Sequence, residues 1–99
     1  MSAPLRVVAT IPVTVESVEA VRAGLAELAA ASLREEEGCL AYEAFESTST
    51  PGTFVTIESW RSAEDMEAHM STPHVAAAFE TIGPVLAGDL VIHTLDALG

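Results

Sequence analysis

Most of the side chains that could carry out chemistry in this sequence lie between residues 58 and 75. This segment holds the single tryptophan, Trp60, and two of the three histidines, His69 and His74. Histidine is the side chain that most readily exchanges a proton near neutral pH, and Glu58, two residues before the tryptophan, is a second candidate base. The segment could therefore form a metal site, a catalytic site, or a part of the core whose polar residues have no chemical role.

The spacing of the two histidines argues against a metal site. Five residues on a continuous helix place His69 and His74 about 140° apart around the axis, and Pro73 interrupts the helix between them. A zinc-binding pair on one helix is normally four residues apart, with a glutamate beside the first histidine. Cys39, the only cysteine, has no ligand-like spacing to a histidine. We therefore expect the two imidazole rings to diverge and expect no metal site.

The same residues also have purely structural explanations. Trp60 ends a predicted strand, so its ring could fill the core. His74 stands at the second position of a predicted helix, near the free N–H groups of its first turn, and His93 in the last predicted strand is interpreted as structural. Spacing alone leaves two interpretations open: these residues form a catalytic site, or they belong to a sealed core beside a dimer interface.

The elements that must position these residues follow a regular order. Apolar and alternating patterns predict strands at residues 5–11, 39–46, 53–60 and 89–95. Steps of three and four residues between apolar side chains predict helices at 17–37 and from 62 to about 82, the second broken at 71–73. The order β-α-β-β-α-β predicts an α+β, ferredoxin-like fold with an antiparallel sheet. We expect one domain over residues 1–99.

Local signals predict where these elements begin and end. Ser62 and Asp65 resemble a capping box, and Thr72 can cap a helix whose first residue is the following proline. Gly38 suits a left-handed end for the first helix. The acidic run at residues 35–37 is expected to be a solvated face.

Strand three and the helix after it should bring the candidate residues together. Glu58 and Trp60 share a face of the strand because they are two residues apart. The helix starting at Ser62 follows almost at once, so a short turn folds it back over the sheet. His69 lies about 10 Å along that helix and can face the sheet.

Composition and charge exclude several classes of protein. The 99 residues carry a formal charge of −11, which disfavours binding to nucleic acid and to anionic membranes. One cysteine allows no intrachain disulfide, and we find no signal peptide or membrane span, so a cytoplasmic location is expected. Apolar residues make up 49% of the chain and occupy both faces of the first strand. This excess predicts a homodimer that buries the sheet face without helices.

Four segments, taken in order, resemble the antibiotic biosynthesis monooxygenase domain family, and the resemblance covers nearly the whole chain. They are residues 38–43 (GCLAYE), 51–54 (PGTF), 58–62 (ESWRS) and 69–75 (HMSTPHV). The resemblance implies a dimeric α+β barrel. It also implies the oxygenation of an electron-rich phenol, quinol or anthrone by O₂ without metal or flavin, so no cofactor is expected.

One branch of that family degrades haem, and this sequence departs from its pattern. That branch uses an asparagine on strand one, a tryptophan on the second helix and a histidine further along it. Strand one here has no asparagine, and the other two positions fall near His69 and Phe79. We therefore do not expect haem degradation.

The resemblance and the residues together give a candidate site for a small aromatic substrate and O₂. His69 or His74 would be the catalytic base or would hydrogen-bond the substrate, and Glu58 would act as a base or orient a histidine. An aromatic pocket would be lined by Trp60, Tyr42 and Phe79, with the Tyr42 hydroxyl facing a substrate oxygen.

Two alternatives remain, because the fold does not choose among them. One is a non-catalytic dimeric module that binds an apolar small molecule or only stabilises a partner, and the other is an isomerase or hydrolase-like enzyme on the same barrel.

Overall fold

The computed structural model describes residues 3–99 and contains four strands and three α-helices. The strands are β1 (Leu5–Pro12), β2 (Cys39–Glu46), β3 (Thr53–Trp60) and β4 (Val91–Leu95). The helices are α1 (Val18–Glu35), α2 (Ala63–His69) and α3 (Pro73–Ile82), with short 3-10 turns at Val15–Ser17 and Gly83–Val85. The predicted order β-α-β-β-α-β, with its second helix divided in two, is confirmed.

The four strands form one antiparallel sheet in the order β2-β3-β1-β4. This is the order of a ferredoxin-like fold, as predicted. Along β3, Phe54, Thr56, Glu58 and Trp60 are all buried on the face that packs against the helices. The predicted alternation of this strand is therefore confirmed, and it places two polar residues inside the core.

Helices α2 and α3 begin where the sequence predicts. The Ser62 hydroxyl accepts a hydrogen bond from the Asp65 amide at 3.1 Å and donates one to the Asp65 carboxylate at 2.8 Å. The Thr72 hydroxyl accepts from the Val75 amide at 3.4 Å, with Pro73 as the first helical residue. These caps begin α2 at Ala63 and, after a short turn, begin α3 at Pro73.

The end of α1 differs from the prediction. Gly38 does not adopt a left-handed conformation, and within residues 3–99 the only glycine with positive φ is Gly52. Gly38 is needed for space instead, because a Cβ there would lie 2.6 Å from the Cβ of Asp65. Helix α1 stops at Glu35, and Glu36 follows with an extended backbone. The chain thus leaves the helical path two residues earlier than predicted.

Strand β4 lies at the edge of the sheet, and all five of its residues are exposed. Pairing with β1 places Val91, His93 and Leu95 on the face that has no helices. On the same face β3 contributes Val55 and Ile57. None of the described helices is long and apolar enough to cross a membrane.

Candidate active site

A small cavity of about 50 Å³ lies between the sheet and the helices. Its walls are mostly apolar and include Ala9, Ile11, Leu25, Leu28, Met66, Val75, Ala78, Ile82 and Leu90. Its polar residues are Tyr42, Thr56, Glu58 and His69. Met70, Phe79 and Ile92 also line it while remaining 41%, 42% and 41% exposed, so they form its edge.

His69 reaches this cavity from the last residue of α2 and is only 3% exposed. Its ring packs against Trp60, with ring centroids 4.5 Å apart, and against Tyr42 at 5.7 Å. The prediction that His69 faces the sheet is therefore confirmed. Two aromatic neighbours hold the plane of the imidazole, which limits its rotation.

Glu36 joins the two histidines, and this arrangement was not predicted. One carboxylate oxygen, Oε2, lies 2.6 Å from Nδ1 of His69 and 2.7 Å from Nε2 of His74. The two rings do not diverge: their centroids are 6.0 Å apart. The turn between α2 and α3 redirects the chain, so the angle of a continuous helix does not apply. Glu36 is correspondingly not part of a solvated face, since its side chain is only 12% exposed.

The contact with Glu36 determines which nitrogen of His69 carries a proton. A carboxylate accepts hydrogen bonds, so the imidazole nitrogens that face it donate. His69 therefore donates from Nδ1, and in the neutral ring the lone pair is on Nε2. His69 lines the cavity, whereas Glu36 and His74 line a groove on the surface. This is the geometry of a base held by a carboxylate.

Glu58 is buried beside the same cavity, with 4% exposure. It accepts hydrogen bonds from the Thr56 hydroxyl at 2.7 Å and from the indole N–H of Trp60 at 2.9 Å. The carboxylate that orients a histidine is thus Glu36, and the expectation that Glu58 could do so is wrong. Two donors fix the Glu58 carboxylate in place and offset part of the cost of burying it.

The predicted aromatic residues divide between the cavity and the core. Tyr42 lines the cavity, and burial raises the pKa of its hydroxyl well above the usual range, with the nearby charge of Glu58 adding to the effect. The hydroxyl therefore stays protonated and can donate a hydrogen bond. Phe79 lies at the cavity edge, and Trp60 packs behind His69 with no exposed surface. His93 is exposed on β4, away from the other histidines.

The sequence contained little that could have identified Glu36. It is one of three consecutive glutamates, and its two neighbours are exposed. Its contacts join residues 33 and 38 positions apart. The one local signal is its place after the last helical residue, where a side chain can turn back toward α2 and α3.

Comparison with known proteins identifies solved structures with the same fold and a protein family. The family model "antibiotic biosynthesis monooxygenase" matches residues 4–81. A structure from Caulobacter crescentus that carries this family's name is 31% identical with a TM-score of 0.89, covering 97% of this chain and 91% of its own. A Pseudomonas aeruginosa structure is 32% identical with a TM-score of 0.88, covering 100% and 98%.

A third structure, from Mycobacterium tuberculosis, is 27% identical with a TM-score of 0.86 and covers 98% of this chain and 97% of its own. No curated protein matches the sequence. The family model extends from β1 to α3 and so includes Glu36, His69 and His74. The chain belongs to the antibiotic biosynthesis monooxygenase family.

Proposed function

We propose that this protein is a cofactor-independent monooxygenase that oxidises a small electron-rich aromatic compound, of the quinol, phenol or anthrone type, with O₂. The observation that carries the proposal is the pairing of His69 with Glu36 at 2.6 Å beside an apolar cavity. A substrate that reacts with O₂ unaided must first lose a proton. The protein has to supply a positioned base and an apolar cavity for this step.

The reaction begins with proton transfer from a substrate hydroxyl, or from its acidic C–H, to Nε2 of His69. The resulting anion passes one electron to O₂, and the substrate radical and superoxide combine at a ring carbon to give a peroxide anion. The imidazolium returns its proton as the peroxide breaks down. One oxygen atom stays in the product as a carbonyl and the other leaves as water, together with two substrate hydrogens.

Two other polar groups can position the substrate. The Tyr42 hydroxyl, kept protonated by its raised pKa, can donate a hydrogen bond to the oxygen that becomes negative. Glu58 accepts from Thr56 and Trp60 and can also accept from a second substrate hydroxyl. A donor and an acceptor at separate points of the wall favour a substrate with two oxygen substituents.

Substrate entry requires the cavity to widen. Its 50 Å³ accommodates water, whereas a dry cavity that binds benzene measures about 150 Å³. The side chains best suited to move are Met66 and Met70, because methionine has three rotatable bonds. Met70 and Phe79 are already partly exposed at the edge. An aromatic substrate would enter by displacing these side chains.

The small cavity volume also supports the second candidate, a non-catalytic module that binds a small apolar molecule. In that case the polar residues serve only to stabilise the core. The two candidates differ in whether bound aromatic compounds are consumed together with O₂.

The test is O₂ uptake with hydroquinones, naphthohydroquinones and anthrones in the presence of a chelator. We expect at least one class to be oxidised with one O₂ per carbonyl formed. Glu36→Gln should lower turnover by about 10²–10⁴, because the amide no longer fixes the tautomer of His69, while Glu37→Gln at the exposed neighbouring position should not. Binding without O₂ uptake for every compound would favour the non-catalytic module.

A further inference from the structure

Three atoms that can ligate a metal converge behind the cavity: Nδ1 of His69, Nε2 of His74 and a carboxylate oxygen of Glu36. All three lie within 4.8 Å of one another. Two imidazoles and one carboxylate form a donor set that suits first-row divalent transition metals. We propose that Glu36, His69 and His74 are a binding site for a divalent transition-metal ion of the Zn²⁺ class, which displaces the two imidazole protons that now face Glu36 and releases them to water.

The distances place the three ligand atoms near the separation that an ion requires, and the two nitrogens lie within 4.8 Å of each other. Zinc bonds of about 2.0–2.2 Å in a tetrahedral site place ligand atoms about 3.4 Å apart. The oxygen of Glu36 now lies 2.6 Å and 2.7 Å from the two nitrogens, so it must withdraw by less than about 1 Å from each. Glu36 follows the end of α1 in an extended backbone, where its side chain can adjust. The imidazoles are carried by the end of α2 and the start of α3.

Charge and access also favour a cation. Glu36 and His74 line a groove at the surface, together with Glu27 and Glu35. The net charge of the chain is −11, which raises the local concentration of cations. Arg34, the basic residue on this groove, forms its ion pairs with Glu27 and Glu35. Water from the groove can supply the fourth ligand, as in zinc sites with three protein ligands.

The position of the site predicts inhibition, a consequence that rests on the proposed function. Of the three ligands, His69 lines the cavity, and the ion binds the nitrogen on the far side of its ring. A metal on Nδ1 uses that lone pair, so the neutral ring carries its proton on Nε2. Nε2 then cannot accept a proton from a substrate. The ion therefore stops proton abstraction without touching the substrate.

The test of binding uses Co²⁺ and the purified protein without substrate. We expect one Co²⁺ per chain, with visible d–d absorption typical of four- or five-coordinate cobalt. Adding Zn²⁺ should displace the cobalt ion and abolish this absorption. Glu36→Gln and His74→Ala should each weaken binding by more than about 100-fold, since even outer-shell partners are worth about 10- to 100-fold. The matched controls Glu37→Gln and His93→Ala should bind as the unmodified chain does.

The proposal is overturned if the unmodified protein shows no cobalt spectrum, or if His74→Ala and Glu36→Gln bind Co²⁺ as tightly as it does. His74→Ala changes a side chain nearer the surface, so the test stays decisive even if Glu36→Gln fails to fold. The binding result is independent of catalysis, so absence of O₂ uptake would refute the proposed function alone. Where turnover is found, Zn²⁺ should lower it and a chelator should restore it. A turnover rate unchanged by bound Zn²⁺ would contradict the predicted inhibition.

Discussion

At the scale of single residues, the site depends on a chain of contacts that links Glu36, His69, Trp60 and Glu58. Glu36 fixes His69 from outside the cavity, and Trp60 supports the same ring from the core. Trp60 also donates to Glu58, so a single indole stabilises both the candidate base and the buried carboxylate. Substitutions of Trp60 should therefore lower the stability of the fold more than they change the contacts of the substrate.

Trp60→Ala should lower the free energy of unfolding by about 3–5 kcal/mol, because the ring has no exposed surface. Trp60→Phe should cost less, about 1.5–3 kcal/mol, since it keeps most of the ring but removes the donor to Glu58. Urea denaturation measures both, with Leu98→Ala at a fully exposed position as the control. A loss below about 1 kcal/mol in Trp60→Ala would show that the ring is not a core residue.

Cys39 should make stability depend on pH in the alkaline range. Burial, with the negative charges of Glu36 and Glu58, raises the pKa of its thiol from 9.0 to about 11. The unfolded chain therefore ionises first, so stability from this group is complete below pH 9 and is lost as pH rises toward 11. Unfolding free energies measured across this range should fall less steeply in Cys39→Ala than in the unmodified protein. Equal slopes would contradict the raised pKa.

At the scale of secondary-structure elements, contacts between residues close together in the sequence could be predicted, and contacts between distant residues could not. The caps at Ser62 and Thr72 and the alternation of β3 involve residues two or three apart, so the sequence indicates them directly. The contacts of Glu36 depend on how the end of α1 meets α2 and α3, which no local pattern encodes. The prediction of diverging rings was wrong because the angle came from a continuous helix, although the sequence also predicted the break at residues 71–73.

Gly38 provides a test of how closely the end of α1 packs on α2. Gly38→Ala should lower the melting temperature, because the new Cβ would clash with Asp65, whose carboxylate is held by Arg61 and Ser62. Gly83→Ala is the matched control, since nothing lies within 4 Å of a Cβ there. Equal melting temperatures for Gly38→Ala and the unmodified protein would show that Gly38 does not pack closely against Asp65 of α2.

At the scale of the whole molecule, the sheet has helices on one face and apolar side chains on both. Phe45, Val91 and Leu95 are 46%, 39% and 43% exposed on the face without helices. The predicted homodimer would bury this face and close the barrel. The exposed apolar residues favour this proposal, because monomers rarely leave large continuous apolar patches in water.

The dimer predicts a particle of twice the 10.3 kDa chain mass in light scattering at low micromolar concentration. Ile57→Glu, in the middle of the open face, should shift the particle to a monomer, because dimer formation would bury a charge. Ala76→Glu, on the exposed side of α3, should leave the dimer intact. A single species at the mass of one chain for the unmodified protein would reject the proposal.

The most direct test of the account is turnover by His69→Ala and His93→Ala, using the aromatic compound that gives the fastest O₂ uptake. His69→Ala should lower kcat by about 10²–10⁴, because a positioned base contributes that much, while far-UV circular dichroism shows that the fold persists. His93→Ala, at an exposed position on β4, should leave kcat within about twofold, since it lies away from the reacting atoms. Unchanged turnover in His69→Ala would contradict the histidine-base mechanism.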